Sequence, residues 1–167
     1  MIVFPVPEPS LRAAAPLRLQ RAEGRARLAL RFRHGATRLE TLYQDGCVKI
    51  RLPRPLAGQP PEAILINTAG ELAGGDRIAA EIDIAEATAA TVTTQACERV
   101  YRSTGEAAIV TNRLTVGAGA RLAWLPQETI LFDGGRLSRR LEADLQDDAE
   151  LVAVEAVLFG RTAMGEV

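Results

Sequence analysis

Histidine and cysteine are scarce in this sequence, which has one His and two Cys among 167 residues. Cys47 and Cys97 lie far apart and form no CxxC pair, so neither a disulfide framework nor a zinc ribbon is indicated. A Ser-His-Asp arrangement needs a histidine base, and His34 has no such motif around it, so we expect it in a surface turn. Because so few His and Cys cannot build a closed coordination shell, we predict no catalytic residue, no tight metal site and no tightly bound cofactor.

Long apolar runs are also absent. No segment approaches the roughly 18 apolar residues of a membrane-spanning helix, and residues 1–5 lack the charged start and apolar stretch of a signal peptide. Hydrophobic residues make up 47% of the chain and the net charge is -1, a balance typical of a globular domain. We therefore predict a cytoplasmic protein that does not associate with a membrane.

Acidic residues are rare near the N-terminus. Between Arg12 and Arg38 there are eight arginines and one acid, Glu23. Such a basic stripe could contact nucleic acid or an acidic protein, but nucleic-acid binders usually interleave aromatic residues with the basic ones, and Phe32 is the sole aromatic here. We predict a solvated or protein-facing strand and no nucleic-acid partner.

Apolar and polar residues alternate along much of the chain. Between residues 25 and 33 the even positions are apolar, which predicts a half-buried strand with Leu28, Leu30 and Phe32 on its inner face. The alternation returns in residues 47–52, 77–84 and 137–145, and glycine and aspartate turns separate these segments. The pattern predicts an all-β fold of mostly antiparallel sheets, resembling a sandwich or open barrel, with helix below about a fifth of the residues.

The chain divides into a short lead-in and one domain. Residues 1–24 contain Pro5, Pro7, Pro9 and Pro16 and are expected to be an extended segment rich in proline and arginine. Residues 25–167 are expected to form the β domain. No internal repeat is visible in the sequence.

A glycine-rich segment precedes one of the predicted strands. It includes Gly74, Gly75 and Asp76, but it matches neither phosphate-loop pattern, and Glu71 and Asp76 would repel phosphate. Judged by spacing alone, it is better explained as a pair of tight turns with positive backbone dihedrals, in which Asp76 caps its own loop.

Two further clusters combine charged and aromatic residues. Residues 93–103 contain Glu98, Arg99, Tyr101 and Arg102, which either form an exposed ladder of ion pairs or line a polar groove. Residues 124–134 contain Trp124, Glu128 and Asp133 around an apolar core, and a lone tryptophan such as Trp124 is most often a packing residue.

These clusters, in this order, resemble the urease accessory protein D family (UreD), called H in some organisms (UreH). The resemblance covers the chain from about Arg25 to its end. It lies in residues 65–70, 72–77, 94–103, 124–128, 130–132 and in Phe159-Gly160-Arg161 through Met164-Gly165-Glu166. Where the family has a second glycine after Gly70, this sequence has Glu71. Family members continue beyond Glu166, so the chain resembles the N-terminal part of the family.

The resemblance implies a mostly β, non-enzymatic scaffold for nickel insertion into apo-urease. Its expected partners are accessory proteins F and G, the latter a nickel-carrying GTPase, and apo-urease itself. A water-filled passage is expected to conduct Ni²⁺ transiently, and without His or Cys it would use carboxylates and water.

The carboxylates that match the family motifs are the candidate passage residues. Asp76 is the first candidate and the weak metal ligand, and we expect its replacement to affect nickel delivery more than folding. Glu98, Glu128, Asp133 and Glu166 are second candidates, and Arg99, Arg102 and Arg161 are expected to balance these acids.

Two other functions stay open on the residues alone. One is an all-β binding module with a carboxylate-rich groove for carbohydrate or calcium, although aromatic residues make up just 4% of the chain. The other is a hydrolase that uses an acid pair such as Glu128 and Asp133.

Overall fold

The computed structural model describes residues 20–161 and 164–166, and β-strands make up most of them. No α-helix occurs in these ranges, which confirms an all-β fold with little helix. Most of the predicted lead-in, with its four prolines and with Arg12 and Arg18, lies outside the described residues. The thirteen strands are β1 Glu23–Arg33, β2 Ala36–Gly46, β3 Val48–Arg51, β4 Glu62–Asn67, β5 Arg77–Ile84, β6 Ala89–Thr94, β7 Glu98–Val100, β8 Ala108–Val116, β9 Arg121–Leu125, β10 Thr129–Leu131, β11 Leu137–Leu145, β12 Glu150–Ala153 and β13 Val157–Phe159.

The predicted strand segments are present. β5 and β11 have the bounds that the alternation indicates, and β1 begins two residues before the predicted start of the domain at Arg25. His34 lies in the exposed turn between β1 and β2 with a φ of 52°, as expected of a surface turn residue.

The prediction of mostly antiparallel sheets is wrong. The first sheet has the order β11-β8-β5-β1-β2, the second β12-β9-β6-β4-β3 and the third β13-β10-β7. Only β1 with β2 and β3 with β4 pair antiparallel among these described strands, and the other pairings are parallel. From β5 onward the chain runs from the first sheet to the second and then the third and repeats this circuit, so each of these strands pairs in parallel with the equivalent strand of the turn before or after it.

The result is a solenoid with a structural repeat that the sequence does not reveal. Arg77 aligns with Ile109 and Ala108 aligns with Leu137, so a turn takes about 30 residues, within the range of known repeat folds. Because each turn needs only apolar residues at inward positions and turn residues at its corners, different sequences satisfy the same backbone path.

The core fills the space between the first and second sheets. It includes Leu28, Ile82 and Leu114 from the first sheet and Val92 and Trp124 from the second. Phe32 does not join it, contrary to prediction, because the pairing of β1 with β5 ends at Leu30 and the Phe32 ring beyond it is 51% exposed. Within the described ranges, no helix is long and apolar enough to cross a membrane.

Candidate functional site

A partly open cavity of about 90 Å³ lies at the corner of the solenoid where the chain turns from the second sheet into the third. Its walls come from four successive turns, from Val48 on β3 to Arg139 on β11. The space is sufficient for several water molecules. Apolar side chains form most of the wall, and the polar groups that face it are therefore candidates for function.

Glu98, at the start of β7, is the one carboxylate among the described residues that line this cavity. The Asn67 side-chain amide donates a hydrogen bond of 3.2 Å to Glu98 Oε1. Burial raises the pKa of Glu98, while the Asn67 hydrogen bond and the charges of Arg139 and Arg99 oppose this rise. A positive ion in the cavity would therefore relieve the unfavourable burial of this charge.

Asn112 adds a second polar group to the wall. It lies on β8 at an inward position between Val110 and Leu114, and it is 4% exposed. Its side-chain amide makes no hydrogen bond to another described residue, yet no fully enclosed side-chain N or O in the described ranges lacks a partner. Because Asn112 lines the cavity, its amide can hydrogen-bond to water there and its oxygen can bind a cation.

Asp76 lies in the predicted glycine-rich turn, but its carboxylate is buried. Oδ1 accepts a hydrogen bond of 2.8 Å from the Ala22 N–H, and Oδ2 accepts one of 2.7 Å from the Ala73 N–H. Contrary to the expectation for an acid in a loop, the carboxylate therefore does not face bulk water, while the role of Asp76 in the nickel passage stays a prediction. Its charge still reaches the cavity, since burial and, to a smaller extent, the charge of Asp76 raise the pKa of Glu98, which lines the cavity.

Glycines allow the backbone to approach closely around Asp76. A Cβ on Gly74 would lie 2.2 Å from the Glu106 carbonyl oxygen and 1.9 Å from Ser103 Oγ, so no larger residue fits there. Gly75 has a φ of 91°, in the left-handed region that favours glycine. Gly74 and Gly75 thus allow the turn in which the Asp76 carboxylate accepts hydrogen bonds from the backbone amides of Ala22 and Ala73.

Trp124 is a packing residue that also has a polar contact at the cavity. Its ring is 1% exposed, and its Nε1–H donates a hydrogen bond of 3.2 Å to Glu155 Oε1. The same carboxylate accepts hydrogen bonds from Arg139 Nη2 at 2.8 Å and from Arg139 Nε at 3.1 Å. Trp124, Arg139 and Glu155 therefore form a connected group that joins β9 to β11 and to the segment after β12.

The other predicted residues form a separate network outside the cavity. Arg102 pairs with Asp133, and the Asp133 N–H donates a hydrogen bond of 3.4 Å to Glu166. The hydrogen bond from Arg161, first among several causes, lowers the pKa of Glu166. Both acids are thus neutralised by arginine at the surface.

Aromatic contacts join this network to Glu71. The Arg161 guanidinium lies 4.2 Å from the centre of the Phe132 ring, which packs edge-on against Tyr101 at 4.9 Å. Tyr101 donates a hydrogen bond of 2.9 Å to Glu71, which raises the pKa of Tyr101, and Arg99 lies 3.6 Å from the same carboxylate. Glu71 therefore balances Arg99.

Glu128 belongs to neither group through its side chain. Its backbone carbonyl accepts a hydrogen bond of 2.9 Å from the Glu98 N–H, and the residue is half-buried. The structure thus separates the predicted acids into Glu98 at the cavity, Asp76 buried close by, and Asp133 with Glu166 outside. Across the described residues, no three His, Cys, Asp or Glu side chains come together in a group that could hold a metal ion.

Sequence reasoning missed Asn112, Arg139 and Glu155. Asn112 and Arg139 interrupt alternating strands at positions that otherwise carry inward apolar residues, a signal that the sequence contains. Glu155 follows β12 outside any strand, and no comparable pattern identifies it.

Comparisons with known proteins give one consistent family. Residues 22–167 match the profile of the family described as UreD urease accessory protein. A protein named urease accessory protein UreD from Chelativorans sp. (strain BNC1) is 58% identical over 153 residues, covering 92% of this chain and 55% of the relative.

Two further relatives carry the same name. The protein from Agrobacterium fabrum is 53% identical over 154 residues, covering 92% of this chain and 54% of the relative. That from Rhizobium leguminosarum bv. viciae is 55% identical over 153 residues, covering 92% of this chain and 56% of the relative. The chain thus spans about half the length of the curated relatives it matches.

Proposed function

The chain belongs to the UreD urease accessory protein family, and we propose that it serves as a non-enzymatic scaffold through which nickel reaches apo-urease. In this proposal nickel is cargo and no resident cofactor is needed. The expected partners are accessory proteins F and G and apo-urease, in a cytoplasmic complex. Family membership supports an accessory role.

The observation that carries the proposal is the Glu98 carboxylate at the internal cavity. Carboxylate, amide and water oxygens are ligands that exchange quickly and hold a divalent ion loosely, which suits transfer better than storage. Glu98 and Asn112 supply such oxygens around a space large enough for water. We therefore propose that the cavity forms part of the nickel passage and that Glu98 is its principal ligand.

Asp76 has a different proposed role. Backbone amides occupy both of its carboxylate oxygens, so it adds negative potential near Glu98 while making no direct bond to the ion. Asp133 and Glu166 already pair with arginines, which leaves them less suited to a cation. Direct contact of Glu128, Asp133 or Glu166 with nickel stays a prediction.

The test is Glu98→Gln in the full-length protein, co-expressed with urease and the other accessory proteins. We expect unchanged complex yield and at least about a tenfold loss of urease-bound nickel, measured by mass spectrometry of the purified urease, since one charge–charge interaction of about 1.4 kcal/mol changes occupancy tenfold. Glu81→Gln, at an exposed carboxylate on β5, is the matched control and should load nickel normally. Normal loading by Glu98→Gln would refute the role of Glu98.

A further inference from the structure

Arg139 places a positive charge in the wall of the cavity, where a cation would have to pass. In the parallel register it aligns with the buried Val110, and Val110 aligns with Ile78, so Arg139 holds a position that earlier turns give to inward apolar side chains. Its side chain is 18% exposed. Among the described residues lining the cavity, Arg139 and Glu98 are the charged ones.

Glu155 neutralises Arg139 in the structure. The contact is bidentate, and Glu155 also accepts the indole hydrogen bond of Trp124. Burial alone would raise the pKa of Glu155, but the hydrogen bonds and charge of Arg139, with the Trp124 bond, outweigh it and lower the pKa. The carboxylate is therefore charged at neutral pH and fixes the direction of the guanidinium.

Glu98 is the other carboxylate whose surroundings include Arg139. It is held by the Asn67 amide, and the charge of Arg139 acts on its pKa. When a half-buried arginine loses its carboxylate partner, pairing with a second carboxylate is favourable, because an unpaired buried charge has a high free energy. Within the described lining, Glu98 is the acid that could take the place of Glu155.

We propose that Glu155 is a positioning residue that keeps Arg139 away from Glu98 and so keeps the cavity open to a divalent cation. This inference rests on the proposed function. With the Arg139–Glu155 pair intact, the unpaired charge in the wall is the negative charge of Glu98. Without Glu155, Arg139 pairs with Glu98, the wall has no net negative charge and a cation is excluded.

Trp124 provides a direct readout because it is the single tryptophan of the chain and lines the cavity. Quenching of its fluorescence by nickel chloride reports entry of the ion, and quenching by the neutral molecule acrylamide reports general loosening. For this measurement the protein is made without a tag and with the substitution His34→Asn. The substitution removes the one imidazole of the chain, and asparagine tolerates the positive φ at that position.

We expect Glu155→Gln to lower the nickel quenching constant by about fivefold or more, as loss of a single charge contact predicts. The double variant Glu155→Gln with Arg139→Gln should return within about twofold of the parent, because no cation then remains to pair with Glu98. Glu142→Gln is the matched control, because it removes a carboxylate paired with Arg113 on the outer surface. It should leave the nickel quenching constant unchanged. The acrylamide quenching constant of every variant should stay within about twofold of that of the parent.

Three results would overturn the proposal. They are an unchanged nickel constant in Glu155→Gln, no recovery in the double variant, and a parent protein that nickel does not quench. If Glu155→Gln fails to fold, the double variant and Arg139→Gln still decide, since the proposal requires the nickel quenching constant of both to be no more than about twofold below that of the parent. Urease loading is measured separately with Glu98→Gln, so the scaffold role can fail or stand independently of the fluorescence result.

Discussion

At the scale of single residues, the difference between Asp76 and Glu98 decides which acid can serve a cation. Asp76 is buried and accepts two backbone hydrogen bonds, whereas Glu98 is half-buried, accepts one hydrogen bond from a side-chain amide and lines the cavity. A carboxylate whose lone pairs are occupied by N–H groups stabilises the fold, and one with unused lone pairs in a cavity is available to a ligand.

Asp76→Ala is now expected to destabilise the protein, contrary to the expectation from sequence. It leaves the partly buried N–H groups of Ala22 and Ala73 without their acceptor, which should cost about 1–3 kcal/mol. Asp76→Asn keeps one acceptor oxygen and should cost less. Urea unfolding of the two variants measures the difference, and an unfolding free energy unchanged by Asp76→Ala would contradict the structural role.

Glu98 should make stability depend on pH. Because burial raises its pKa in the folded state, the folded protein binds this proton more tightly than the unfolded chain, and stability falls as the pH rises from the ordinary glutamate pKa through the raised one. Glu98→Gln should therefore be at least as stable as the parent at neutral pH, and the difference should vanish in acid. Urea titrations at several pH values test this, and a variant that is less stable at neutral pH would show that Glu98 stabilises the fold.

At the scale of strands, position within the solenoid sets how much a side chain contributes. β8 has a parallel neighbour on each side, and Leu114 on it is fully buried, while β11 has one described neighbour and its Leu145 is 46% exposed. Stability therefore depends on the inner strands, where both edges are paired and the inward face is buried.

Leu114→Ala should lower the free energy of unfolding by about 2–5 kcal/mol, because it leaves a cavity in the core. Leu145→Ala, the same change near the end of β11, should stay within about 0.5 kcal/mol of the parent. Chemical denaturation monitored by circular dichroism compares the two, and equal losses would mean that β11 is covered in solution.

At the scale of the whole molecule, protection of the backbone should be graded along the solenoid. β2 is an edge strand exposed along most of its length, and half of the N–H groups of an antiparallel edge strand point away from its neighbour. In hydrogen exchange followed by mass spectrometry, amides of β8 should exchange on the order of 100-fold more slowly than those of β2. Comparable rates in the two strands would indicate that the β2 edge is paired.

The sequence by itself determined where the strands lie, that helix is nearly absent, and which family the chain resembles. Alternation with period two requires only that one face of a strand be buried, so segments such as residues 77–84 and 137–145 can be recognised as strands from the sequence. The turn at Gly75 and Asp76 was likewise evident from local chemistry. Tertiary structure alone decided that these strands stack in parallel, because alternation specifies the buried face of a strand and not its neighbour. The cavity depends on that stacking: it brings Glu98, Asn112 and Arg139 together from three different turns, and burial inside the solenoid then determines which of the acids keeps an unused lone pair.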